Sequence, residues 1–129
     1  MNFSFKKAER LSSRKAFETL LKKGSVYFLF PLKMIWLVND VNTQSPVQVA
    51  FAVPKKRFKR ANKRNLVKRR LREAYRLNKS PLYQFLNEKG IHIHLLIIYI
   101  APEVLSYHEI GPKIKIALNS IMGALQKTN

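Results

Sequence analysis

Residues 53–76 read VPKKRFKRANKRNLVKRRLREAYR. From Lys55 to Lys79 there are 13 basic side chains and one acid, Glu73, so this segment carries +12 of the chain's formal +18. A like-charge block this dense is often a disordered tail. Here Leu66, Val67, Leu71, Ala74, Tyr75 and Leu77 interrupt it at helical spacing, which predicts a helix from about Ala61 to Leu77. At about 100° per residue, Val67, Leu71, Ala74 and Tyr75 fall in one arc, extended by Leu66 and Leu77. Arg64, Asn65, Lys68, Arg69, Arg72 and Arg76 fill an adjoining arc of roughly 140°. Lys63 and Arg70 fall nearer the apolar side, where their stems can lie along it. One face is built to pack on a sheet, and the next presents five cations and an amide.

Working outward, the flanks supply that sheet. Upstream, Ser12-Ser13 can cap a helix with Phe17, Leu20 and Leu21 on one face, stopped at Gly24. Ser25 to Phe30, Leu32 to Val38 and Val47 to Val53 read as strands, with polar turn residues from Asn39 to Pro46. Pro54 ends the third strand, and the basic linker Lys55 to Arg60 feeds the helix. Downstream, Ser80-Pro81 pairs an N-cap with Pro at the first helical position, opening a short helix through Leu86. Asn87 to Gly90 reads as a loop. Ile91 to Ile100 is the strongest strand, apolar and β-branched. Ser106 and Glu109 have capping-box spacing for a last helix to about Gln126, started or kinked at Gly111-Pro112. No internal repeat or linker divides the chain, so residues 1–129 are expected to form one α+β domain in the order α-β-β-β-α-α-β-α.

The whole chain has 129 residues and 47% hydrophobic residues, ordinary for a globular domain. Self-repulsion at +18 disfavours a compact state unless a polyanion sits against the protein. Cysteine is absent, which excludes disulfides, thiolate metal sites and cysteine nucleophiles. Met1 to Lys7 lacks an apolar signal region, and the longest apolar run, Leu95 to Ala101, is far short of a membrane span. A cytoplasmic protein without membrane contact is the expectation. The acids Glu9, Glu18, Asp40, Glu73, Glu88, Glu103 and Glu109 are scattered, with no spacing for a metal nuclease. His92 and His94 share one side of a strand but have no sequence partner. No glycine-rich phosphate loop is present. The residues alone describe a binder of nucleic acid with no catalytic set of its own. DNA and RNA both fit a cationic helix. Three preceding strands argue against a helix-turn-helix, and Tyr27, Phe28, Phe30 and Trp36 could stack on unpaired bases or fill a core.

The stretch from Ala61 closely resembles the signature A-x-x-R-N-x-x-K-R-x-x-R-E of the bacterial ribonuclease P protein component. Ala61, Arg64, Asn65, Lys68, Arg69, Arg72 and Glu73 all match. Arg10-Leu11, Lys15-Ala16-Phe17 and Lys22-Lys23-Gly24 resemble the family's opening. The resemblance implies a small four-stranded sheet with helices, like a domain of a ribosomal protein and a translocating elongation factor. It implies a left-handed β-α-β crossover through the Arg-Asn-Arg helix. It also implies two partners, a catalytic RNA and precursor tRNA, whose 5′ leader the assembly removes as an endoribonuclease. No obligatory protein partner is inferred. Mg2+ is then expected to be held mainly by the RNA, and no catalytic or metal-ligating residue is expected in the protein. Lys55, Lys56 and Arg60 from the linker, with Arg64, Asn65, Lys68, Arg69, Arg72 and Arg76 from the helix, are expected to contact RNA. A cleft between the first helix and the sheet is implied for the leader, with Phe17 at the family's aromatic position and Trp36 as the strand aromatic facing it. Leu21 departs from the family, standing where a second aromatic is common, and Pro54 replaces a small polar residue. A purely structural ribosomal-type RNA-binding protein and a DNA-binding module are the rival readings.

Overall fold

The computed structural model describes residues 4–39 and 43–127. Met1 to Phe3, and Asp40 to Asn42 of the polar turn, lie outside the described residues. After a 3-10 turn at Lys7–Glu9, the order is α1 (Arg14–Lys23), β1 (Ser25–Leu29), β2 (Leu32–Asn39), β3 (Val47–Ala52), α2 (Ala61–Asn78), α3 (Ser80–Lys89), β4 (His92–Tyr99) and α4 (Tyr107–Lys127). The chain is thus α+β in the expected order. The sheet runs β1-β2-β4-β3. The β1/β2 and β2/β4 pairs are antiparallel, and β3/β4 is parallel. Neighbouring parallel strands cannot be joined by a hairpin, so α2 and α3 form the crossover between them.

Alternation along each strand separates the two faces of the sheet. Leu32, Met34, Val47, Val49, Ile93, Leu95, Ile97 and Tyr99 point to one side and pack with Val67, Leu71, Tyr75, Leu82, Leu86 and the apolar residues of α4. This is the main core. On the other side, among the described residues, only Leu20, Ile35 and Leu96 are buried, under α1, with Leu11, Phe17, Leu37, Ala50, Ala52 and Ile98 around them. One face is closed by three helices, and the other is bridged by a single ten-residue helix.

Local chemistry explains where elements start and stop. Ser13 caps α1, its Oγ accepting from the Ala16 N–H at 3.2 Å. The α3 helix runs through Lys89, one turn past the expected end. Gly90 closes it in the left-handed conformation (φ 67°), while the Ile91 N–H reaches the Leu86 carbonyl at 3.0 Å. Ser80 is the first helical residue rather than its cap, because Lys79 is itself helical and joins α2 to α3 with almost no break. The last helix starts before Gly111-Pro112. Ser106 and Glu109 form the expected capping box, with the Glu109 N–H on Ser106 Oγ at 3.3 Å and the Ser106 N–H on Glu109 Oε2 at 2.9 Å. Pro112 sits inside this helix, where its ring costs one backbone bond.

Candidate nucleic-acid interface

The α2 helix is anchored by Val67, Leu71, Ala74 and Tyr75, all buried. Its first buried residue is Val67, so the first turn and a half stands clear of the core. For that reason Lys63 is exposed rather than laid along the apolar side, and Leu77, in the final turn, is exposed as well. Arg70 is half-buried. Its Nη1 donates to the Leu105 carbonyl at 2.6 Å, tying α2 to the loop before α4.

Lys68, Arg69 and Arg72 gather with Asn62, Asn65 and Leu66 around one shallow hollow. Among the described residues no carboxylate lines it. Lys68 and Arg72 also border a second groove with Phe5, Arg10, Leu11 and the β3 residues Val49, Ala50 and Phe51. Arg10 is exposed, and its guanidinium lies 5.5 Å from the Phe5 ring centre. The basic surface therefore continues from α2 across the β3 edge onto the N-terminal strap, residues 4–11. No local spacing in the sequence brings Arg10 beside α2; only the resemblance of Arg10-Leu11 to the family's opening singles it out.

Two cations of the row are partly committed. Arg64 donates through Nη1 to the Phe58 carbonyl at 2.7 Å and the Lys59 carbonyl at 2.9 Å, so it holds the approach loop where an N-cap side chain is lacking. Arg76 pairs with Glu73 one turn away, and its hydrogen bond holds the Glu73 carboxyl below the usual range. In the loop, Phe58 is buried with its ring centre 6.1 Å from that of Tyr99. That anchor leaves Lys55, Lys56, Lys59 and Arg60 exposed.

The strap is fastened by a buried ion pair. Glu9 and Lys79 have side chains only 7% and 4% exposed. The Glu9 carboxylate also accepts from the Lys6 N–H and from the Tyr83 hydroxyl, each at 2.7 Å, and Lys79 reaches the Ser4 carbonyl. Burial alone would raise the Glu9 pKa, but the hydrogen bonds from Lys6, Lys79 and Tyr83 outweigh it and hold the carboxyl below its usual value. Tyr83 OH and Tyr75 OH lie 2.8 Å apart, and burial pushes both phenols up.

Phe17 sits half-buried on the α1 face, against the small cluster of Leu20, Ile35 and Leu96. Trp36 does not join it. Lys33, Ile35 and Leu37 take the α1 side of β2, so alternation turns Trp36 to the opposite face. There it lines a groove with Tyr27, Ser120, Ile121 and Ala124 of α4. The expectation that Trp36 faces the cleft is corrected accordingly. His92 and His94 lie on the α1 side of β4, and burial lowers the His94 pKa. Among the described residues no three metal-ligating side chains converge, and no helix is long and apolar enough to cross a membrane.

Comparison with known proteins gives one answer. The Ribonuclease P family matches residues 5–119. The ribonuclease P protein component of Porphyromonas gingivalis is 32% identical over 121 residues, 94% of this chain and 88% of that protein. That of Chlorobium phaeobacteroides is 43% identical over 84 residues, 60% of this chain and 56% of the relative. Among solved structures, the RNase P protein of Staphylococcus aureus superposes with a TM-score of 0.71 at 20% identity, covering 89% of this chain and 96% of that one. The Thermotoga maritima RNase P protein gives 0.66 at 21% identity, covering 87% and 96%. At those identities the structural likeness establishes the fold.

Proposed function

The chain belongs to the ribonuclease P protein component family, and from that premise we propose that it is the RNA-binding subunit of an endoribonuclease that removes the 5′ leader of precursor tRNA. The observation that carries this reading is the hollow on α2. Lys68, Arg69 and Arg72 surround Asn62 and Asn65 with no acid among them, on a helix whose other side is locked into the core. Three cations so placed repel one another unless phosphates lie between them, and the arginine guanidinium suits bidentate phosphate contact. Lys55, Lys56 and Arg60 on the approach loop extend that contact to the catalytic RNA. Arg64 acts twice, holding the loop and adding charge. Arg76 contributes less, because Glu73 offsets it.

The leader belongs on the α1 side, where Phe17 offers an aromatic edge beside an apolar floor. Binding leader and catalytic RNA on one small basic body brings two polyanions together, and that neutralisation is the protein's contribution. Among the described residues no three acidic or histidine side chains converge to hold Mg2+. Glu9 is paired with Lys79, Glu18 with Arg14 and Glu73 with Arg76, and Glu109 caps α4. In this reading the ion sits in the RNA, and the protein acts in the cytoplasm without an obligatory protein partner. The test mixes the protein with a cognate ribonuclease P RNA and precursor tRNA at low magnesium. Appearance of the mature 5′ end only when both protein and RNA are present supports the reading. Specific cleavage by RNA-free protein overturns it.

A further inference from the structure

The strand registers place Phe28, Lys33, Ile98 and Ala52 in one row across all four strands, on the α1 side of the sheet. The next row, Val26, Ile35, Leu96 and Ala50, contains the two strand residues that α1 buries. The first row thus lies one step further along the same face, and its β1 end is open. Phe28 is 63% exposed, and Val26 and Phe30, two residues to either side of it in the chain, are each more than half exposed. The Lys33 ammonium sits 5.3 Å from the Phe28 ring centre. No acidic side chain occurs among the strand residues of this face.

We propose that this hairpin is a second subsite for the leader, beyond Phe17, in which an unpaired base stacks on Phe28 and its phosphate is met by Lys33. An exposed ring with a cation against it is the combination that single strands use, stacking for the base and charge for the backbone. A paired base could not reach the ring, because its faces are covered by its neighbours in the helix. A second copy of the chain is the poorer occupant. It would bring a second +18 body and a second Lys33 against the first. The subsite rests on the reading of the α1 face as the leader's, and it predicts that the leader is gripped over a longer stretch than Phe17 alone can span.

The test uses the assembled protein–RNA enzyme and precursor tRNAs with leaders of increasing length, beside mature tRNA. The wild-type assembly should gain affinity with leader length. Phe28→Leu should abolish the gain from the longest leaders, lowering their affinity about five-fold or more, while short leaders and mature tRNA bind as before. Phe28→Tyr, which keeps the ring, should retain the gain. Lys33→Gln should make the salt slope for long leaders shallower by about 0.7. If Phe28→Leu and Lys33→Gln leave every leader unchanged while Phe17→Ala still weakens precursor binding, the hairpin is no subsite and the broader reading stands. If the wild-type assembly shows no leader dependence at all, both fall. Sedimentation of the free protein as a dimer that Phe28→Leu separates, with leader affinity intact, also overturns the proposal and gives the face to a second copy.

Discussion

Leu95 and Leu96 are adjacent in β4 and both are buried, yet they live in different surroundings. Leu95 faces a core closed by α2, α3 and α4, and Leu96 faces a three-residue cluster under α1. The closed face turns its cost of burial into a rigid mount for the α2 cations. The open face leaves apolar side chains at the surface, the pattern that marks an interaction face. The two faces thus differ in closure: one is sealed by three helices behind the basic row of α2, and the other leaves apolar side chains exposed beside α1.

The largest expected effect is on the strap that crosses the closed side. Lys79→Ala leaves the Glu9 carboxylate buried without its partner, and stability should fall by about 3–5 kcal/mol in urea unfolding. The same pair sets a pH dependence. The folded-state pKa of Glu9 is depressed, so its stabilisation is full above its ordinary value of 4.5 and is lost as pH falls through the lower folded value. Unfolding midpoints of the wild type should drop over that acid window, and those of Glu9→Gln should drop less.

The second effect sharpens the contrast directly. Leu95→Ala and Leu96→Ala remove the same atoms, and Leu95→Ala should cost the larger share of the usual range of about 2–5 kcal/mol. The single α1 helix can settle onto a smaller Leu96, whereas three packed helices cannot close around Leu95. Equal losses would mean that the α1 face is packed as firmly as the other. Smaller again is Phe17→Ala, which at half burial should cost about 1–2 kcal/mol. Its main effect should be on binding, with the assembled enzyme losing affinity for precursor tRNA more than for mature tRNA. Equal loss for both would make Phe17 simply a core residue.

Much of this division was legible in the chain. The 3.6-residue period placed Val67, Leu71, Ala74 and Tyr75 inward, and α2 begins at Ala61 as expected. Ser13 and the Ser106–Glu109 pair marked two helix starts through their own side-chain bonds. What the sequence hid is long-range. The bond that commits Arg70 to Leu105 spans 35 positions, and the Glu9–Lys79 pair spans 70, so no local spacing reports either. The face of Trp36 is not legible locally: its neighbours in β2 are nearly all apolar, and without alternation in polarity the inward face cannot be chosen. Phe28 was one aromatic among several until the register set Lys33 opposite it.

The central claim is that the α2 face is a phosphate-binding surface held rigid by the core behind it. The direct measurement is the dissociation constant for the catalytic RNA across a salt series, with circular dichroism as the folding control. Arg72 is the informative position, because Arg64 also holds the approach loop and Arg76 is paired with Glu73. Arg72→Ala and Lys68→Ala should each weaken binding and make the log–log salt slope shallower by about one unit, with helicity unchanged. Asn65→Ala should weaken binding at an unchanged slope. Slopes equal to the wild type in both Arg72→Ala and Lys68→Ala, with folding intact, would contradict the account and assign this helix a different partner.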